Sequence, residues 1–355
     1  KNTFRKKIIR GDDTLDRVML IGGPGNISHS TMLELLIKGF EVGVYTIMES
    51  IGPEFAGNIR HYTGNRDDTA CLKAALLDFK PDDIIDFVCF EQQQGDILSD
   101  LMLERVKQFI FISTVDAYGY PLSCLPMREI DPVGETRTQY ALNKRMCEKL
   151  LLSKAEKQKL PLTIVRPAYS FGNEFLISFF SHLQGSYLIT RLRESRPVLV
   201  PGDGTTLIHV SHGYNTGRMV AQLAGKDFTI GRSYTCGHDS FMTHDDYINL
   251  MAGAVGKTAD IVHIPTDLLG SAGGEFVRES LHLALTRYNL AFSVDAFKSD
   301  FPDFEWKLGL DEGMQKYIEY NDRKGTFDST PVEMSEDRII KAWLECTSNF
   351  NIRYV

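Results

Sequence analysis

Cysteine is sparse in this 355-residue chain and never clusters. The six cysteines, Cys71, Cys89, Cys124, Cys147, Cys236 and Cys346, include no Cys-x-x-Cys pair, which excludes a disulfide framework and a zinc ribbon and leaves reduced, mostly buried thiols. Proline is also scarce at 13 residues, and with 29 glycines the composition excludes collagen-like and disordered classes. Positive charge is in deficit: 39 Lys and Arg against 47 Asp and Glu leave a net charge of −8. Beyond the short basic stretch Lys1 to Lys7 there is no stripe able to neutralise a phosphate backbone, so no nucleic-acid partner is expected. No apolar run reaches the ~18 residues of a membrane span, and the first residues lack a signal-peptide pattern. The expectation is a soluble cytoplasmic protein with no membrane partner.

What the sequence does have is alternation. Apolar runs at Arg17 to Ile21, Glu41 to Tyr45, Asp83 to Phe90, Gln108 to Ser113 and Leu162 to Arg166 are separated by helical patterns at Thr31 to Lys38, Thr69 to Phe79, Asp96 to Lys107 and Thr138 to Gln158. This predicts an α/β fold, a Rossmann-type doubly wound parallel sheet with a smaller C-terminal substrate-binding lobe. The cofactor domain is expected over 1–166, with returning segments near 205–236, and the lobe over most of 167–355. A closing helix is expected at Ser335 to Cys346, with Ser335 as its N-cap.

Between the first strand and first helix stands Gly22-Gly23-Pro24-Gly25-Asn26-Ile27-Ser28. Glycines there let the backbone approach a pyrophosphate, and the next helix offers free N–H groups and the positive end of its dipole. The second strand should end on the residue that reads the adenosine ribose, but Tyr45-Thr46-Ile47-Met48-Glu49 carries neither the acid of NAD sites nor the Arg of NADP sites at that place. The absence of Lys and Arg from Glu41 to Phe55 favours NAD and leaves NADP open. Gly64-Asn65-Arg66-Asp67 follows a third apolar piece and offers Asn65 for the adenine edge, or else a polar turn opening the next helix.

Tyr140 and Lys144 are four residues apart, on one face of a predicted helix. A cation beside a phenol favours phenolate and suits the tyrosine to exchange a proton with a substrate hydroxyl. Ser113-Thr114 ends a buried strand and can present a second hydroxyl. Tyr320 and Lys324 repeat the spacing in a polar stretch that reads as a solvated helix face.

These features, with Ser113-Thr114-Val115-Asp116-Ala117-Tyr118-Gly119, Glu148, Arg166-Pro167 and Pro201-Gly202-Asp203-Gly204, resemble the extended short-chain dehydrogenase/reductase superfamily, specifically the NAD-dependent epimerase/dehydratase family of nucleotide-sugar enzymes. The resemblance implies Tyr140 as acid/base, Lys144 as ribose ligand and bias on Tyr140, and Thr114 as the assisting hydroxyl. Asp116 takes the position of a family Glu that acts as a second base, whereas Val115 replaces the acid that dehydratases use for water loss. The implied cofactor set is Gly22, Gly25, Asn26, Ile27, Thr46, Asn65, Arg66, Lys144 and Pro167. On the substrate side Tyr169 stands for a family Asn, the stretch Thr205 to His209 lacks the family's diphosphate Arg, and His212 stands for a family Asp, so Arg191, Arg193, Arg196, Arg218 or Arg232 must supply the cation or the substrate is not a standard sugar nucleotide.

The resemblance implies an NAD-dependent epimerase acting on a sugar or nucleotide-sugar through a transient keto intermediate. The alternatives are an NADP-dependent reductase, a dehydratase or decarboxylase of the same family, or a non-catalytic nucleotide- or RNA-binding relative. A homodimer is expected through Asp96 to Lys107 and Thr138 to Gln158, using Leu142, Met146, Leu150 and Leu151. His182, His209 and His212 come without carboxylates at fixed spacing, so no metal is expected.

Overall fold

The structure, a computed structural model, describes residues 16–102, 106–173, 175–180, 186–272, 277, 280–327 and 331–348. Lys1 to Lys7 and His182 fall outside these residues.

A seven-stranded sheet runs in the order β11-β6-β5-β4-β1-β2-β3, every neighbouring pair parallel. Its strands are β1 (Arg17–Ile21), β2 (Glu41–Thr46), β3 (Ile59–Thr63), β4 (Asp83–Asp86), β5 (Gln108–Ile112), β6 (Leu162–Pro167) and β11 (Ser233–Cys236). Strand alternation sorts the core. Val18 and Leu20 of β1 face the helices α1 (Ser28–Lys38) and α6 (Gly213–Leu223), where Met32, Leu35, Met219 and Val220 meet them. Met19 and Ile21 face the other way, onto Leu72 and Phe79 of α2 (Thr69–Phe79), Leu98 of α3 (Gln92–Met102) and Cys147 and Leu151 of α4 (Gln139–Gln158). Burial on both faces is why these strands read as nearly unbroken apolar runs.

Strand order reverses direction at β1, between β4 and β2, and the crevice over the carboxyl ends at such a point is where doubly wound sheets bind ligands. Two glycines of α6 make the neighbouring layer tight. A Cβ at Gly217 would stand 2.1 Å from Ser30 Oγ and one at Gly213 2.3 Å from the Asn26 carbonyl oxygen. Ser30 and Thr31 instead donate to the Gly213 and Gly217 carbonyls at 3.0 and 3.1 Å.

The later chain builds a second core around Phe171, Tyr187, Leu188, Val198, Tyr247, Met251, Met314 and Tyr317. It contains three two-stranded ladders: β7 (Tyr169–Phe171) with β10 (Val210–His212), β8 (Val198–Pro201) with β13 (Ile261–Ile264), and β9 (Leu207–Ile208) with β12 (Met242–Thr243).

Several element expectations need correction. β4 ends at Asp86, because the Asp86 carboxylate accepts the Val88 N–H at 3.0 Å and turns the chain out of the ladder. α3 starts at Gln92, ahead of the expected Asp96. The C-terminal helix runs Pro331–Ser348, so Ser335 lies inside it and does not cap it. Leu151, expected at a dimer seam, is fully buried in the chain's own core, while Leu142 remains exposed.

Candidate active site

A cleft of about 600 Å³ opens over the carboxyl ends of β1, β4, β5 and β6. Gly23 to Ser28 form one wall, Phe87, Val88 and Ile112 the floor, and Ser113 to Asp116, Tyr140, Lys144 and Pro167 to Ser170 the far side. A larger cavity of about 720 Å³ lies at the opposite end of the sheet, where Arg17 pairs with Asp82. Chemistry and not size selects the first, since the polar groups of the sequence motifs converge there.

The glycine turn has little freedom. Gly22 has φ +90° and a Cβ there would meet Val88 at 2.5 Å; Gly23 has φ +115° and its Cβ would meet Ser28 Oγ at 2.7 Å. Ser28 Oγ accepts the Gly25 N–H at 2.8 Å, which explains a serine at the third small position. The first backbone bond of α1 runs from His29 to Gly25, so the Asn26, Ile27 and Ser28 N–H groups have no backbone acceptor within the helix, an arrangement suited to an anion. This cradle fits the pyrophosphate of NAD.

Tyr140 opens α4, which Thr138 caps by accepting the Ala141 N–H at 3.1 Å. Its ring is 44% exposed at the cleft, yet surrounding protein pushes the phenol up to about 12, first through burial and then through the Asp116 charge. The Thr114 hydroxyl acts in the opposite direction, and both residues line the cleft.

Lys144 departs from expectation. Its ammonium donates to the Ile112 carbonyl at 2.7 Å and lies 4.8, 5.2 and 5.9 Å from the rings of Phe90, Phe111 and Tyr140. It therefore ties α4 to the end of β5, burial lowers its pKa, and its charge is not what governs the Tyr140 phenol in this state.

Asp116 sits in a single 3-10 turn, Val115–Tyr118, whose first N–H groups include one accepted by Thr114 Oγ1 at 3.2 Å. Tyr120 donates to its Oδ1 at 2.9 Å and Tyr169 donates to the same oxygen. Burial raises the carboxyl pKa, against the two phenol bonds. Nearby, Glu148 holds Arg166 through bonds of 2.9 and 2.7 Å, and that guanidinium lies 4.6 Å from the Tyr118 ring, a structural brace under the turn.

At the adenosine end, Thr46 is buried at the tip of β2, where its Oγ1 accepts the Met48 N–H at 3.3 Å. Asn65 uses its side-chain oxygen on the Asp67 N–H at 3.0 Å. Arg66, expected among the cofactor ligands, lies at 2.9 and 3.0 Å from both oxygens of the buried Asp86 and donates to Gln94 O at 3.1 Å. Its charge is neutralised there. Asn26 and Ile27 line the cleft, as does Pro167.

The expected substrate residues separate. Tyr169 lines the cleft with its hydroxyl on Asp116. His209 is buried, with Nε2 2.7 Å from the His238 carbonyl oxygen, and His212 caps α6 by accepting the Tyr214 N–H at 3.1 Å; neither lines the cleft. Burial takes both down to about 4. Arg191 is a correction: it is fully buried, 3.3 Å from the equally buried Glu336, and donates to Pro197 O and Asp337, so it anchors the C-terminal helix. Arg193 pairs with Asp322, Arg196 with Asp337, Arg218 with Glu34 and Arg232 with Asp300. Sequence reading missed Tyr120, whose only signal is a tyrosine four residues beyond Asp116. Among the described residues no group of three or more His, Cys, Asp or Glu is arranged to hold a metal, and no helix is long and apolar enough to cross a membrane.

The chain is 27% identical to UDP-glucose 4-epimerase of Yersinia enterocolitica and 26% identical to that of Haemophilus influenzae, over 38% and 42% of its length. The matched region spans about half of each relative, 47% and 52%. Its fold superposes on UDP-glucose 4-epimerase of Thermotoga maritima with UDP-glucose (TM-score 0.66, 19% identity, 87% of this chain and 99% of that one). It also superposes on dTDP-glucose 4,6-dehydratase of Bacillus anthracis with NAD (TM-score 0.66, 16% identity, 87% and 97%). The model of the NAD dependent epimerase/dehydratase family matches residues 18–231, more than half of the chain, and the glycine turn, strands β2 to β6 and the Tyr140–Lys144 pair fall within it. The chain belongs to the NAD dependent epimerase/dehydratase family.

Proposed function

We propose that this protein is an NAD-dependent epimerase acting on a sugar or sugar derivative through a transient keto intermediate. The observation that carries the reading is the convergence of Tyr140, Thr114 and Lys144 beside the glycine turn, in one cleft. The nicotinamide, when bound, supplies the hydride acceptor and donor. Gly23, Gly25 and the start of α1 hold the pyrophosphate. Thr114 orients the substrate hydroxyl, and Tyr140 takes its proton and later returns it. Lys144 fixes α4 against Ile112, so the phenol keeps its distance from the floor of the cleft. Asp116 stands by as a second proton acceptor.

The neutralised arginines refine the substrate. Arg191, Arg193, Arg196, Arg218 and Arg232 are each paired with a carboxylate, which favours a sugar without a nucleoside diphosphate over the standard nucleotide sugar. A homodimer through α3 and α4 fits the exposed Leu142 and Leu152 on α4, and light scattering tests it. Six free thiols, two of them exposed, suit the reducing cytoplasm.

Denaturing the purified protein and identifying the released nucleotide by mass spectrometry tests the cofactor, and Tyr140→Phe tests the chemistry. NAD with loss of turnover in Tyr140→Phe is expected. Released NADP, or unchanged turnover in the variant, would overturn the reading.

A further inference from the structure

Asp116 and Tyr169 both line the cleft, and Tyr120 is fully buried behind them. The two phenol oxygens lie 3.0 Å apart, and both hydroxyls converge on one carboxylate oxygen, Oδ1. Among the described hydrogen bonds none ends on Oδ2. The three groups come from separate backbone anchors. Asp116 rides the 3-10 turn after β5, Tyr120 follows it and stacks on Tyr288 at 6.0 Å, and Tyr169 begins β7 with its N–H on the His209 carbonyl. A carboxylate gripped on one oxygen by two fixed donors cannot rotate freely about its Cβ–Cγ bond, and its other oxygen keeps one direction.

We propose that Tyr169, with Tyr120 behind it, is a positioning residue that clamps Oδ1 of Asp116 so that Oδ2 meets the substrate as a second proton-transfer group beside Tyr140. This rests on the keto intermediate proposed above. A carbon next to a carbonyl is acidic. Oδ2 takes that carbon's proton while the C–H electron pair moves into the enolate; a water on the opposite face then protonates the carbon as the enolate collapses, and its hydroxide takes up the proton held on Oδ2, so the carbon is inverted with no net oxidation. The titratable groups that face Asp116 are the phenols Tyr120, Tyr140 and Tyr169; among the described residues no cation or second carboxylate contributes to its shift. Phenols donate to the anion and hold it against the burial that opposes it.

Two measurements test the clamp. In the full-length, substrate-free protein with aspartate labelled at the side-chain carboxyl carbon, the Asp116 resonance is assigned by its loss in Asp116→Asn and titrated in wild type, Tyr169→Phe and Tyr120→Phe. Phe keeps the packing and removes the donor, so the midpoint should rise by about one pH unit in each variant. An unchanged midpoint in the folded variants overturns the clamp. If Tyr169→Phe fails to fold, Tyr120→Phe carries the same expectation. On turnover in D2O, wild-type product should carry carbon-bound deuterium, and Tyr169→Phe should lower kcat and move the acid limb of its pH profile upward with KM unchanged. Product without carbon-bound deuterium overturns the second proton site, and it does so even where Tyr140→Phe upholds the redox reading.

Discussion

The ammonium of Lys144 is bound to the carbonyl oxygen of Ile112, 2.7 Å away, and not to the phenol four residues before it. The Tyr140 phenol is raised to about 12 by burial and the Asp116 charge. It should titrate there, visible as the difference in ultraviolet absorbance titration between wild type and Tyr140→Phe. Adding NAD brings a cationic ring into the cleft and should lower that midpoint. A midpoint below 10 in the free protein would contradict the geometry.

Arg191 is a fold residue in this structure. It and Glu336 are both fully buried, and truncating one partner of such a pair leaves the other charge uncompensated. Arg191→Ala should cost about 3–5 kcal/mol in urea denaturation. At a temperature where the variant remains folded, KM should stay near the wild-type value; a large KM effect without destabilisation would return Arg191 to the substrate.

The contact of α6 with α1 depends on bare backbone. Gly217→Ala would set a Cβ 2.1 Å from Ser30 Oγ and 2.3 Å from the Ile27 carbonyl oxygen, atoms that cannot both give way without moving α1. Overpacking of this kind costs about 1–3 kcal/mol, and because Ile27 borders the glycine turn, NAD should also bind more weakly. Gly253→Ala is the contrast: that helical glycine has nothing within 4 Å of the added carbon, and the change should stabilise by about 0.5–1 kcal/mol. Calorimetry and NAD titration of the two variants check both.

Acid should unfold the protein through histidines. Burial lowers His209, His212 and His282 to about 4 and His244 to about 3. A base whose folded pKa lies below its unfolded value binds fewer protons folded, so its contribution is intact above 6.5 and is lost as pH falls toward 4. Asp83, raised to about 7 by burial, works in the opposite direction over the same range. Near pH 5.5 the four histidines should together take up more than about three protons on unfolding, while Asp83, with Asp116 and Glu336, whose carboxyls burial also raises, should release protons. His244, whose two ring nitrogens have no hydrogen-bond partner among the described residues, should account for about one of the protons taken up, so His244→Phe should reduce the uptake accordingly.

The parts legible in the sequence are those encoded locally. Gly22 to Ser28 announces its turn because conformation and helix start are set within seven residues, and Tyr140 with Lys144 announces one helix face. Side-chain partners distant in sequence are not announced. Arg191 looks like a free cation until Glu336 is folded against it, and Arg66 looks like a ligand for an anion until its Nη1 is set against both oxygens of Asp86. Tyr169 was legible as a departure from a family Asn, but its engagement with Asp116, 53 residues earlier, is a property of the folded chain. The element edges at β4 and α3 shifted for a similar reason, since the Asp86 carboxylate bends a chain whose apolar run continues to Phe90.

The bonds from Ser30 and Thr31 to Gly213 and Gly217 span 183 and 186 residues. During synthesis, then, the glycine turn leaves the ribosome long before the backbone that packs against the helix after it. Until residue 217 emerges, α1 lacks the surface that sets its angle, and β11 has yet to cover the edge of β6. The nascent chain carries α1 without this packing partner until more than 180 further residues have been made.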